Sequence, residues 1–234
     1  MSTFAEFAAP DADEPVSTIE LTDKLAKQLR ELGYGLRPAG EEDRFFFEIV
    51  RDLVFGAVTN YELLVQGYRL SNNNLVAWAC RNLLEIGIFT KYVLASRENA
   101  LLFRRDRIAD ACSMAEALKE MELRGDPHGD MRELDHWMSG MEMQIGFASP
   151  AEARYLSISE LADQVGMAPE LRAIDRICGN LVHPMAWSVL AKNGGKNCFP
   201  RICEALFVCA AGYMTDMFLA VKFQNTEQGM KPNP

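Results

Sequence analysis

Arg176, Asn180 and His183 stand four and three residues apart in the stretch Asp175 to Pro184. On a helix those intervals put the three side chains on one side of the axis. An arginine holds phosphate oxygens through its fork of N–H donors, and a histidine moves a proton near neutral pH. Cleaving RNA needs little more, because the neighbouring 2′-hydroxyl supplies the nucleophile. Pro184 cannot continue a helix and restricts the residue before it, so His183 is expected at a solvent-reachable helix end. A structural role fits the same residues. A histidine at a helix C-terminus complements the dipole, and Asn180 can cap a backbone carbonyl.

A second pair, Arg81 and Glu85, is spaced i,i+4 inside an apolar segment. Arg81 would add a phosphate contact that Glu85 orients; the alternative is an internal ion pair that fixes helix register. Lys91, Arg97, Arg104, Arg105 and Arg107 form a basic cluster with the spacing of a backbone-tracking helix face. Glu98, Asp106 and Asp110 interleave with it, which suits a salt-bridged, solvated face. Glu133-x-x-His136 is one half of a ferritin-like di-iron motif. The other histidines, His128 and His183, follow Gly125 and Asn180 by three residues, so the second half is missing. Met131, Met138, Met141 and Met143 beside Trp137 suit adaptable core filling or a soft partner groove. The six cysteines (Cys80, Cys112, Cys178, Cys198, Cys203 and Cys209) include no C-x-x-C pair and read as buried free thiols of a reducing compartment. No metal or cofactor is expected. Gly-rich phosphate loops, nucleophile elbows and dinucleotide fingerprints are absent from the sequence.

Helices must position these groups. Ile19, Leu21, Leu25, Leu29 and Leu32 make a helical stripe that stops at Gly33 and Gly35. The 3.6-residue pattern continues over 41–70, opened by three acids, and breaks at Ser71 to Asn74. It resumes over 75–96, 98–124 and 130–147, with breaks at Gly125-Asp126-Pro127 and Ser149-Pro150. Short helices are expected over 159–165 and 170–182. Pro200 then opens a last helix to about Phe223 that is apolar on nearly all sides, as a central or interface helix is. Nothing alternates with period two. The expected architecture is an all-α bundle of five or more main helices. Residues 1–16 read as a mobile acidic arm, 17–40 as an N-terminal helix and loop, 41–225 as the bundle domain and 226–234 as a flexible tail.

The composition, 49% hydrophobic and 24% charged over 234 residues, is that of a globular chain with a sizeable core. Ten of the acids but only four bases fall in residues 1–43, so the body is near neutral despite a net charge of −9. That balance argues against broad, salt-driven nucleic-acid binding and leaves room for a local phosphate site. The N-terminus lacks a basic, apolar signal pattern. No apolar run reaches the ~18 uninterrupted residues of a membrane span. A soluble, cytoplasmic protein with no membrane partner is expected. Leu161-Ala162-x-x-Val165-Gly166-Met167 resembles the first helix and turn of a helix-turn-helix. Arg172, however, stands where that pattern wants a later apolar anchor, with Leu171 one residue early.

Arg176-x6-His183 at a helix end in an all-α chain resembles the HEPN superfamily (higher eukaryote and prokaryote nucleotide-binding domains). The chain is also similar to an uncharacterised bacterial helical family in which an Arg-x-x-x-Glu helix, here Arg81 to Glu85, is coupled to a later His-Pro, here His183-Pro184. The resemblance covers roughly residues 45–223. It implies a metal-independent RNase of a toxin or phage-defence type, working as a homodimer. His183 would be the acid/base, Arg176 the phosphate clamp and Asn180 the orienting partner, with Arg81 and Glu85 contacting substrate. The chain has Ile177 where such RNases place a polar residue after the arginine. Two other functions fit the sequence: a non-catalytic helical module that binds a protein partner or a nucleotide, and a DNA-binding regulator using residues 158–176.

Overall fold

The computed structural model describes residues 18–38, 40–125, 140, 156–182 and 199–227. Among these the chain forms seven α-helices, one 3-10 turn and no strand, which is the all-α bundle the periodicity predicts. The helices are α1 (Thr18–Gly35), α2 (Arg44–Arg69), α3 (Asn73–Ala95), α4 (Arg97–Gly125), α5 (Ile158–Gln164), α6 (Ala168–Val182) and α7 (Phe199–Glu227). Apart from Gly140, the expected helix over 130–147, with its Glu133–His136 pair and its methionines, lies outside the described residues, as do residues 1–16 and 228–234.

Helix α3 is the hub. It packs against α2, α4, α5, α6 and α7, while α1 lies on α2 and α7. Its sequence explains this position. Apolar or small residues surround nearly its whole circumference, and Ala77, Ala79, Cys80, Leu84, Ile88 and Val93 are fully buried. The apolar stripe of α1 delivers Leu25 and Leu29 to the same core, so the N-terminal helix is integral to the bundle.

Chain reversals follow local chemistry. Helix α2 ends in a Schellman motif: Asn72 N–H donates to Gly67 O at 2.8 Å and Ser71 N–H to Tyr68 O at 3.1 Å. Ser71 carries the required positive φ of 51°. Asn72 then caps α3, its side chain accepting from Leu75 N–H at 3.1 Å. The expected break at Ser71–Asn74 is therefore shorter, because Asn73 and Asn74 already belong to α3. The same motif closes α5, with Met167 N–H to Ala162 O at 2.7 Å and Gly166 at φ 72°. Helix α6 starts at Ala168, earlier than expected, and takes Pro169 into its first turn, where a missing N–H costs nothing. Helix α7 runs to Glu227, beyond the expected end near Phe223.

One segment, 201–225, is long and apolar enough to cross a membrane by length and composition. It packs instead as a core helix on α3, α1 and α2, with Leu206, Phe207, Ala210, Met214 and Val221 buried. Its Asp216 pairs with Lys91 of α3 at 3.5 Å. This arrangement is compatible with a soluble helical bundle.

Candidate functional site: the polar seam between α3 and α6

Helix α6 presents Leu171, Ile174 and Cys178 to the core at helical spacing. Those anchors fix its rotation and set Asp175 at the edge of the contact with α3. Opposite it stands Arg81. The Arg81 Nε lies 3.0 Å from Glu85 Oε1 on its own helix and 3.0 Å from Asp175 Oδ1 on α6. That nitrogen carries one hydrogen, and the hydrogen bond goes to Glu85. Asp175 Oδ1 is thus held by charge alone, buried and with no hydrogen-bond donor among the described residues. All three side chains remain partly solvent-exposed, with Arg81 and Asp175 at 44% and 40%.

Arg176 follows Asp175 on the exposed side of α6, and Ile177 beside it is 41% exposed. The seam therefore brings the Arg81–Glu85 pair to the helix that carries Arg176 and Asn180. The side chain of Asn180 lies outside the described residues, and so does all of His183, the residue after the last one of α6. In the seam Arg81 faces two carboxylates, Glu85 and Asp175. Asp175 is the member to which sequence reasoning assigned no role. Its partner lies 94 positions earlier, and no local spacing signals that pairing.

The wall beneath the seam is made of thiols. Cys80, next to Arg81, and Cys178 are both fully buried. The Cys80 thiol donates its one hydrogen to Leu206 O of α7 at 3.3 Å. Interaction with Cys80, and then the Arg81 charge, lower the Cys178 pKa against the opposing effect of burial. The same interaction, followed by burial, pushes Cys80 up. Cys209 of α7 is half-buried and close enough to feel Cys178 electrostatically. Tyr213, one turn further along α7, is pushed up by burial and then by Cys209. Among the described residues no three His, Cys, Asp or Glu side chains gather as a metal-binding group.

The other candidates sit elsewhere. Arg107 pairs with Asp106 and Asp110 at 2.9 Å and lies over the rings of Phe89 and Phe103. Asp106, buried, also accepts from Leu156 N–H at 2.8 Å and so ties the start of α5 to α4. Arg97 pairs with Asp43, and Lys91 with Asp216. The basic cluster is therefore largely a salt-bridged face whose charges already have acidic partners. Helices α5 and α6 do form a helix–turn–helix unit around Gly166, but α6 lays its inner face on α3. Its outer face carries Arg172 and Arg176 together with Glu170.

Comparison with known proteins returns no matching family model, no matching curated protein and no matching solved structure.

Proposed function

We propose that the α3–α6 seam is a phosphate-binding site and that the chain is a metal-independent RNase, or a related phosphate-binding protein, of a toxin or phage-defence type. The observation that carries this reading is the Arg81–Asp175 contact at 3.0 Å. It joins the Arg-x-x-x-Glu pair of α3 to the helix that leads into His183-Pro184, two pieces that the similar uncharacterised bacterial helical family couples. In this reading His183 takes the proton of an RNA 2′-hydroxyl as that oxygen attacks the adjacent phosphorus. Arg176 holds the phosphate oxygens as negative charge builds, and Asn180 orients the imidazole. Arg81 adds a second positive charge, oriented by Glu85. The products are a 2′,3′-cyclic phosphate and a free 5′-hydroxyl.

The test is cleavage of RNA by the purified protein in EDTA, with wild type and His183→Ala on one gel. Cleavage by wild type that is lost in the variant supports the reading. Equal cleavage by both, or by neither, overturns the catalytic assignment.

The two acidic partners that Arg81 already has favour a second reading, a non-catalytic module that binds a protein partner or a nucleotide, with Arg81, Glu85 and Asp175 as a register-setting ion cluster. Asp175→Asn separates the two. A phosphate site frees Arg81 and binds RNA more tightly after this change. A register pair shows a small loss of stability and no change in RNA binding. The DNA-regulator reading is the weakest of the three, because α6 packs one face on α3 and its outer face mixes both signs of charge. A homodimer remains part of the RNase proposal, and sedimentation of the purified chain tests it.

A further inference from the structure

Helix α7 is apolar on nearly all sides, yet the bundle takes up only one of them. Leu206, Ala210, Met214, Met217 and Val221 face the core. The opposite side carries Arg201, Ala205, Val208, Gly212, Thr215, Leu219 and Lys222, at intervals that alternate strictly between four and three residues. Val208 is 54% exposed and Leu219 36%, and Phe223, next to Lys222, is 64% exposed. Gly212 stands at the middle of this line. Glycine is a poor helix former, and a Cβ placed there would meet nothing within 4 Å among the described residues, so packing inside the chain does not require it.

We infer that this line is the seam of a homodimer in which α7 pairs antiparallel with α7 of a second copy across a two-fold axis. The inference supplies an interface for the homodimer proposed above and does not depend on catalysis.

A four–three alternation lets two helices interlock side chains along one seam. From Arg201 to Phe223 the line covers about three heptads, roughly 33 Å of helix. It is complementary to itself in one direction only. In the antiparallel pairing centred between Tyr213 and Met214, Val208 of each copy meets Leu219 of the other. Gly212 meets Thr215 beside the axis, where two small residues let the backbones approach closely. Ala205 meets the stem of Lys222, whose ammonium lies over the Phe218 ring at the rim of the seam. Glu204, exposed beside Ala205, then stands within a turn of Lys222 of the other copy. A parallel pairing would instead set Arg201, Glu204 and Lys222 each against its own charge. The two-fold axis repeats every contact, so one patch serves both copies and the assembly closes.

A lipid surface is the competing occupant, because α7 also has the length and composition of a membrane span. The bundle already occupies the inner face of the helix, on α1, α2 and α3. Lipid on the outer face would have to take up Glu204 and Lys222, which a second copy pairs with each other.

The test is sedimentation velocity of the full chain over a range of concentrations, together with zero-length carbodiimide cross-linking mapped by mass spectrometry. The expected result is a wild-type dimer and a Glu204–Lys222 cross-linked peptide. Those two residues lie about 27 Å apart along one helix, so that peptide forms only between copies. Val208→Lys and Leu219→Lys should each weaken the dimer by about a hundredfold or more, since the axis places each new charge in the seam twice. Both positions are exposed, so helix content by circular dichroism should stay at the wild-type level. A wild-type chain that sediments as a monomer throughout overturns the inference, and so does a monomer that binds lipid vesicles and loses them in Leu219→Lys. A dimer that both variants leave intact, without the Glu204–Lys222 peptide, overturns this interface while the homodimer of the RNase reading stands on another surface.

Discussion

At the scale of single residues, some polar groups inside this bundle bond back to their own helix, as Thr90 does to Ile86 O, and others reach a partner on another helix. Tyr61 of α2 is fully buried, and its hydroxyl donates to Asp23 Oδ1 of α1 at 3.0 Å. Burial, and then the Asp23 hydrogen bond, push its pKa up. A folded-state value raised above the unfolded one contributes stability in full below about pH 10, and that contribution is lost as pH rises through the folded-state value. Urea unfolding should therefore show stability falling in the alkaline range, and Tyr61→Phe should flatten that fall. Because Asp23 is exposed and rehydrates, Tyr61→Phe should cost only about 1 kcal/mol at neutral pH. The Arg81–Asp175 pair, partly exposed on both sides, belongs to the range of ~0–1 kcal/mol. Its interest is thus functional, and Asp175→Asn should change RNA binding more than it changes the unfolding midpoint if the seam is a phosphate site.

At the scale of elements, two helices end in the same Schellman geometry with different residues at the left-handed position. Gly166 adopts φ 72° without strain, and a Cβ added there would meet no neighbour within 4 Å. Gly166→Ala should then cost about 1 kcal/mol through backbone conformation alone. Ser71 holds φ 51° with a side chain, so Ser71→Gly should stabilise the α2–α3 turn by up to about 1 kcal/mol. Thermal unfolding of the two variants should shift in opposite directions. Both turns were legible as breaks, from Ser71-Asn72-Asn73-Asn74 and from Gly166. Which residue would take the positive φ was legible only for the glycine, because serine carries no strong preference for that region. Helix α6 starts at Ala168, before the expected residue 170, because Pro169 reads as a stop although it is tolerated in a first turn.

At the scale of the whole molecule, α3 organises the core by contacting five other helices. Leu84, fully buried at its centre, should cost ~2–5 kcal/mol as Leu84→Ala, whereas Leu70→Ala at a 65% exposed turn position should stay within about 0.5 kcal/mol. Chemical denaturation of both variants checks this contrast. The long apolar helix α7 shows the same organisation from the other side. Its length and composition fit a membrane span as well as a core helix, and its packing on α1, α2 and α3 decides for the core.

By itself, the sequence determined the all-α class, the places of the described helices to within a few residues, and the choice of Arg81, Glu85 and Arg176 as groups to watch. Periodicity, caps and prolines act over one or two turns, so they can be read locally. Tertiary structure decided which of those groups meet. The contact of Arg81 with Asp175 and the placing of Arg107 of α4 over the Phe89 ring of α3 depend on how far each helix is rotated about its axis. That rotation is set by burial of whole apolar faces such as Leu171, Ile174 and Cys178, a sum over many distant contacts that no short stretch of sequence encodes.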